Sequence, residues 1–426
     1  MDLSAYGVAS LLALSFLALM LFLALFEPGL AYRIDTPPDE GLGSDKFLRL
    51  LGGLTNGEVH RDTAVEVLTN GDVYFEAELE AIAKARHSVN LEAYIFHKGR
   101  VASRFVESLS ERARAGVKVR LVLDSVGSFS TTDAFLAPLR EAGGQVAFYH
   151  PIRWHTLPRI NNRTHRELII VDGCLGFIGG SGIADQWRFG TRGHKAWRDT
   201  MFRVEGEAVR SLQATFVENW VEASGEILTG HDYFPPCPSA GAATALVVPS
   251  SPTIGLSTRA RMLYQALLAS ARESIAIATP YFVPDRSVRH EIVRAIRERG
   301  VAVRILTPGR HSDQLLTRRS SRRLYGELLD AGARIFEYRP AMMHAKVLVI
   351  DSLWSVVGST NFDNRSFGLN DEVNLAVRDG GLACRLLEDF ARDVEASREV
   401  SYREWRKRSL LERFHESLGG ILERQQ

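Results

Sequence analysis

Cysteine is scarce: 426 residues carry three, Cys174, Cys237 and Cys384, widely scattered and odd in number. Such a set predicts neither a disulfide framework nor a zinc site, and Cys174 reads as a small buried thiol in a turn. No other metal-ligand cluster is visible, so no metal or other cofactor is expected. Net charge is also lacking. Lys and Arg number 52 against 51 Asp and Glu, leaving +1, and no global field draws in nucleic acid. Between Tyr6 and Phe26 charge is absent altogether, and Leu, Ala and Phe dominate. That run is long enough to cross a bilayer as a helix. The start Met1-Asp2 lacks the basic residues of a signal peptide, and no small-x-small cleavage site follows. Residues 1–27 therefore read as an uncleaved single-pass anchor. The charges flanking it set no clear orientation.

The rest has the composition of a globular protein, 45% hydrophobic and 24% charged, and enough length for two domains. Residues 28–57 hold Glu27-Pro28-Gly29 at their edge and Thr36-Pro37-Pro38, and read as a linker. From about residue 60 strands and helices alternate. Helices are expected over 74–85, 101–115 and 132–142, and strands over 88–96, 117–124 and 167–171. The order then repeats. Ala85-Arg86-His87-Ser88-Val89 matches Ala271-Arg272-Glu273-Ser274-Ile275, and Ala115-Gly116-Val117 matches Arg299-Gly300-Val301. Ala142-Gly143-Gly144 matches Ala331-Gly332-Ala333. With the match of Ala93-Tyr94-Ile95-Phe96 to Pro280-Tyr281-Phe282 and the histidine motif that ends each series, five landmarks in one order indicate an internal duplication of two α/β sandwich halves with mixed sheets, residues 58–235 and 244–400. A Pro/Gly/Ser-rich linker, 236–243, separates them, and 401–426 forms a basic amphipathic tail.

Each half ends at a histidine motif. The second is His344-Ala345-Lys346 with Asp351, then Gly358-Ser359-Thr360-Asn361. Residues two apart on a strand share a face, so His344 and Lys346 point the same way. An imidazole beside a fixed cation suits attack on a phosphodiester, with the cation neutralising phosphate oxygens. Asp351 closes the strand, where it can accept hydrogen bonds from the following turn. The first motif is His165-Arg166-Glu167 with Asp172, then Gly179-Gly180-Ser181-Gly182. Glu167 occupies the lysine place and Gly182 the asparagine place. Beyond the motifs, Asp199 precedes Val204 and Glu372 precedes Val377 at the same offset, which makes the two carboxylates equivalent positions.

With two H-x-K-x4-D-type motifs, the chain resembles the phospholipase D superfamily. Pro280-Tyr281-Phe282-Val283-Pro284-Asp285 and the run Asn361 to Asn374 make it most similar to bacterial cardiolipin synthases. The resemblance implies catalysis by His165, Asp172, His344, Lys346 and Asp351. It implies supporting roles for Ser181, Ser359 and Asn361, with carboxylates at Asp199 and Glu372 orienting imidazoles. One histidine would form a phosphohistidine and the other shuttle the proton, joining two phosphatidylglycerols into cardiolipin with release of glycerol. The implied partners are phosphatidylglycerol and the lipid bilayer, in a bacterial cell membrane; nucleic acid is not expected, and oligomeric state is unspecified. Three readings of Glu167 stay open. Arg163, Arg166 or Lys195 replaces the missing charge; the halves have specialised, His165 as acid and His344 as nucleophile; or the site is inactive. A hydrolase of phospholipid or nucleic acid and an inactive membrane-binding protein are the alternative functions.

Overall fold

The computed structural model describes residues 3–26, 32–154, 156, 159, 161–191, 193–252, 259–409, 412, 413 and 416, with side chains described in the first helix only from Tyr6 to Leu19. The first half contains β1 (Val59–Thr69), β2 (Ser88–Ala93), β3 (Lys118–Asp124), β4 (Gln145–Tyr149), β5 (Leu168–Val171), β6 (Leu175–Gly179) and β7 (Thr200–Glu205). The second contains β8 (Ala243–Ser250), β9 (Ser274–Ala278), β10 (Phe282–Val283), β11 (Ala302–Pro308), β12 (Arg334–Tyr338), β13 (Val347–Ile350), β14 (Trp354–Gly358), β15 (Phe362–Asp363), β16 (Glu372–Arg378) and β17 (Ser397–Val400). The helices are α1 (Leu3–Phe26), α2 (Asp45–Thr55), α3 (Gly71–Ala83), α4 (Arg100–Arg114), α5 (Asp133–Glu141), α6 (Ala208–Ser224), α7 (Arg259–Ser270), α8 (Arg286–Arg299), α9 (Leu315–Ala331), α10 (Asn364–Gly368), α11 (Gly380–Glu395) and α12 (Tyr402–Arg406).

The duplication is visible in the strand order. One 15-stranded sheet runs β17-β12-β11-β9-β13-β14-β16-β8-β1-β7-β6-β5-β2-β3-β4. Read outward from the β8/β1 junction, the halves repeat each other for seven strands, and β17 adds an eighth at the outer edge of the second. The two expected sandwiches thus share one continuous sheet. β2, β3 and β4 are parallel, as are β9, β11 and β12, while β5 and β13 run against them. Alternation along each strand feeds both faces. Leu348 and Ile350 enter the core under α2, α7, α8 and α9, whereas Val349 enters the core under α6 and α11. Likewise Ile169 packs toward α3, α4 and α5, and Ile170 toward α6. Apolar runs four residues long with no polar side, such as Leu168–Val171, follow from burial on both faces.

Two expectations about the connections need correction. The segment 28–57 is not wholly a linker. Ser44 caps α2, accepting from Phe47 N at 3.1 Å, and Phe47, Leu48 and Leu51 are buried in the second half's core. Trp354 Nε1 donates to Leu42 O at 2.8 Å and fixes the approach to this helix. Cys174 is not a free thiol: it forms a disulfide with Cys237, 63 residues away in sequence. The turn between β5 and β6 is thereby tied to the linker between the halves; Cys384 is free and exposed. The tail begins with a helix docked on the body, where Trp405 Nε1 donates to Arg322 O at 2.7 Å and the ring occupies the space over Gly326. Leu411, Phe414 and Leu418 lie outside the described residues.

α1 is a single helix of 24 residues with no charge in its first or last turn. Among the described residues, no helix is long and apolar enough to cross a membrane.

Candidate active site

Strand polarity brings both histidines to one edge. Glu92 near the end of β2 pairs with Leu168 at the start of β5, and Ala278 at the end of β9 pairs with Val347 at the start of β13. His165 and His344 therefore emerge where the parallel strands of their own halves finish. The segments carrying them then pair across the halves. His165 N donates to Asp371 O at 2.8 Å and Asp371 N to Arg163 O at 2.9 Å. Reciprocally, His344 N donates to Arg198 O at 2.7 Å and Arg198 N to Met342 O at 2.8 Å.

This pairing crosses the orienting carboxylates. His165 Nδ1 stands 3.1 Å from both oxygens of Glu372, and His344 Nδ1 stands 2.7 Å from Asp199 Oδ2. Each first-half group thus meets its second-half partner. An ionised carboxylate only accepts, so each Nδ1 carries the hydrogen and each Nε2 is left for substrate. Both carboxylates are fully buried and themselves held. Ser359 Oγ and, at 3.4 Å, Asn370 Nδ2 donate to Glu372; Trp187 Nε1 donates to Asp199 Oδ2 at 2.9 Å and Thr200 N to Oδ1 at 2.8 Å. Burial alone would raise both carboxyl pKa values. The charge and hydrogen bond of the facing histidine outweigh it, together with Lys346 at Asp199 and Ser359 and Ser366 at Glu372, so both sit below the ordinary range.

The two imidazoles differ in surroundings. His344 is 6% exposed against 13% for His165. Trp187 and Trp197 each place a ring centre 5.3 Å from that of His344, and Tyr281 places one at 6.4 Å. Lys346 Nζ lies 2.9 and 3.2 Å from the two ring nitrogens of His344, and donates to its carbonyl at 2.8 Å. Burial, then the Lys346 charge, pushes the His344 pKa down despite Asp199. Burial also lowers that of Lys346, against the pull of Asp199, Glu372 and Glu167.

Glu167 is a buried carboxyl folded onto the backbone, accepting from Tyr94 N at 3.2 Å and Ile95 N at 3.3 Å. Burial raises its pKa well above the ordinary value, with Lys346 opposing. None of the three expected substitute cations takes the lysine place. Arg166 Nη1 and Nη2 donate to Thr215 O and Glu218 on α6, Arg163 is spent on Asp124 and the carbonyls of Asn162 and His150, and Lys195 is exposed. Lys346 itself reaches toward the first half. Its Nζ is 3.4 Å from Gly180 O, and a Cβ on Gly180 would meet that nitrogen at 2.6 Å. Gly180 is the counterpart of Ser359, so the first half has given up a hydroxyl and made room for the second half's cation.

Asp172 and Asp351 do not join the imidazoles. About 20 Å of extended chain separates each from its histidine. Asp172 accepts from the backbone nitrogens of Arg86, His87 and Ser88, and Asp351 from those of Arg272, Glu273 and Ser274. They clamp the turns that enter β2 and β9, not the turns that follow their own strands as the sequence suggested. Ser181 is also turned away from phosphate, donating to Tyr74 OH at 2.7 Å. Asn361 is buried with Oδ1 unpartnered. Sequence reading gave no role to Trp187, Trp197, Tyr281, Asn370 or Gly180. Gly180, Tyr281 and Asn370 sit inside stretches it singled out and Trp197 is two residues from Asp199, whereas Trp187 carried no local signal.

Comparison with known proteins shows the family of the chain. Residues 79–220 and 264–394 match the family model described as cardiolipin synthase, PLD-like domain. Cardiolipin synthase 2 of Bacillus anthracis is 36% identical over 379 residues, 88% of this chain and 73% of that protein. The cardiolipin synthase of Geobacillus kaustophilus is 34% identical over 379 residues, 88% and 75%. Among solved structures, phosphatidylserine synthase from Haemophilus influenzae superposes with a TM-score of 0.68 at 13% identity, covering 90% of this chain and 100% of its own. That last likeness concerns the fold alone.

Proposed function

The chain belongs to the cardiolipin synthase family of phospholipase D-like proteins, and we propose that it transfers a phosphatidyl group from one phosphatidylglycerol to the glycerol hydroxyl of another. The observation that carries this is the crossed pair of carboxylate-held imidazoles with a single lysine beside one of them. His344 Nε2 attacks phosphorus, the bond from phosphorus to the glycerol oxygen breaks, and His165 Nε2 gives that oxygen a proton. A second phosphatidylglycerol then loses its hydroxyl proton to His165 as its oxygen attacks phosphorus, and the P–N bond to His344 breaks. Cardiolipin and glycerol leave, and both histidines return to their first state. The assignment of roles follows the asymmetry of the site. Burial and then Lys346 keep His344 neutral and nucleophilic, while His165 faces Glu372 with a glutamate, not a lysine, at position 167 and takes the proton-shuttling role. Detergent-solubilised protein and its His344→Ala variant, incubated with phosphatidylglycerol and analysed by mass spectrometry, test the reaction. Cardiolipin from the parent alone supports it; phosphatidic acid without cardiolipin would make the protein a hydrolase.

We further infer a single-pass anchor in a bacterial cell membrane. What supports this reading is the sequence: the run from Tyr6 to Phe26 carries no charge and is dominated by Leu, Ala and Phe. The Cys174–Cys237 disulfide supports placing the catalytic body on the oxidising face of that membrane. Cys384 reports on this directly: a membrane-impermeant maleimide should label it in intact spheroplasts. Labelling only after lysis would put the body on the other side.

A further inference from the structure

The edge that carries the two histidines is ringed by exposed apolar side chains. Phe129 is 78% exposed, Ile152 62%, Trp154 84%, Leu315 57% and Leu316 40%. Each belongs to a loop, or to the first turn of a helix, that follows a parallel strand, and each loop touches the site. The loop of Phe129 follows β3. Its Gly127 is pressed so close to Tyr94 that a Cβ would meet Tyr94 O at 2.2 Å, and the Tyr94 ring lies 5.2 Å from that of His165. Ile152 and Trp154 follow β4 and His150, whose Nδ1 is 3.1 Å from Asn162 O, three residues before His165. Leu315 and Leu316 open α9 just after Asp313, which accepts from Tyr281 OH at 2.8 Å beside His344. The ring of His194 lies 5.1 Å from that of His311 and joins the two halves along this rim.

We propose that this rim inserts into the interfacial zone of an anionic bilayer, so that the site opens directly onto the lipid headgroups. The inference rests on the phosphatidyl-transfer reading and adds how substrate reaches the site. Soluble surfaces scatter single apolar residues, but five from three separate loops at one opening form a surface of a different kind. Arg153, Lys195 and Arg310 are exposed among them, as attraction to anionic headgroups requires. A Trp and a Phe at such a boundary match the aromatic preference of the membrane interface. The chain also leaves the body from this edge. Tyr32 N donates to Ser287 Oγ at 2.8 Å, and the Tyr32 ring lies under the Arg261 guanidinium at 4.6 Å. Ser287 opens α8, six residues beyond Tyr281. The six residue steps from Phe26 to Tyr32 reach about 20 Å at most, so the end of α1 lies within that distance of Tyr32 and the helix can share the rim's bilayer.

Trp154 makes the test direct. The chain has six tryptophans, and Trp187, Trp220 and Trp354 are at most 2% exposed. Full-length protein is reconstituted into phosphatidylglycerol vesicles whose acyl chains carry bromine near the headgroup. Fluorescence quenching in the parent, abolished in Trp154→Phe, is expected. In parallel, Phe129→Ser with Leu315→Ser should lower turnover of vesicle lipid roughly tenfold or more and leave turnover of monomeric short-chain phosphatidylglycerol unchanged. Equal quenching in parent and Trp154→Phe would overturn the proposal, as would an equal loss on both substrates. Quenching without any cardiolipin formed would retain the rim and remove the reaction, so the two readings fail separately. Protection of Trp154 by a second protein, with no quenching by lipid, would assign the rim to a protein partner instead.

Discussion

His344 Nδ1 and Asp199 Oδ2 stand 2.7 Å apart, although 145 residues and the whole linker between the halves separate them in the chain. Neither half therefore completes a histidine–carboxylate pair alone. Asp199→Asn cannot hold the charged imidazole, so kcat should fall by about 10²–10⁴-fold with KM little changed. Added to His344→Ala, it should cause no further loss. Turnover of phosphatidylglycerol by the single and double variants measures this.

Gly180→Ala should act on the other half of the molecule. The new Cβ would lie 2.4 Å from Lys346 Cδ and 2.6 Å from Nζ. Because Nζ ends a flexible side chain, the lysine moves rather than the backbone. The expected outcome is a loss of kcat of roughly tenfold or more with an unchanged melting temperature, compared by lipid assay and calorimetry.

Glu167→Lys should not repair the first motif. The site offers two backbone N–H donors and the nearby Lys346 charge, all unfavourable for an ammonium. Folded protein in detergent, with lost or strongly reduced turnover, is expected. Glu167→Gln keeps an acceptor for those donors. Folding raises the pKa of Glu167, so its contribution to stability is full below the unfolded value of about 4.5 and is lost as pH rises toward the folded one. Melting temperature measured from pH 5 to 8 should therefore fall less in the Gln variant than in the parent.

His344 shows the opposite sign. Its folded pKa is lowered, so the stability it contributes is present above about pH 6.5 and is lost as the pH falls through the folded value. The imidazole stays neutral below the usual histidine range, and phosphohistidine formation should persist there. Acid-free quenching with ³²P-labelled phosphatidylglycerol, followed by peptide mapping, should find the label on the peptide holding His344; label on His165 would reverse the roles.

Removing the disulfide costs stability without touching chemistry. Closing 63 residues corresponds to about 4 kcal/mol in the chain-entropy account. Cys174→Ser with Cys237→Ser should melt lower than the parent, become insensitive to dithiothreitol, and retain its turnover in detergent at 25 °C.

Local pattern decided much of this molecule. Apolar runs bounded by Gly turns located β5 and β13, helical periodicity located α3, α4 and α5 to within a few residues, and the repeated landmarks revealed two halves. The motif spacing put His344 and Lys346 on one side of the chain, where Lys346 Nζ indeed lies 2.9 Å from the imidazole. Asp199 and Glu372 were legible as equivalent positions, because each stands where a strand begins and at the same distance before a valine of that strand, Val204 and Val377.

What the sequence could not contain is which distant groups meet. Cys174 and Cys237 look unpaired until the β5–β6 turn is laid against the linker. Asp172 and Asp351 look catalytic by motif, yet strand direction carries them to the far end of the sheet. The exchange of Asp199 and Glu372 between halves, the tryptophan walls of His344, and the passage of Lys346 over Gly180 all depend on the pseudo-twofold packing of one sheet. Periodicity is a local property fixed by backbone geometry, so the chain by itself determined the elements and their repetition. The site is a set of contacts between elements far apart in sequence, and only the tertiary structure decided those.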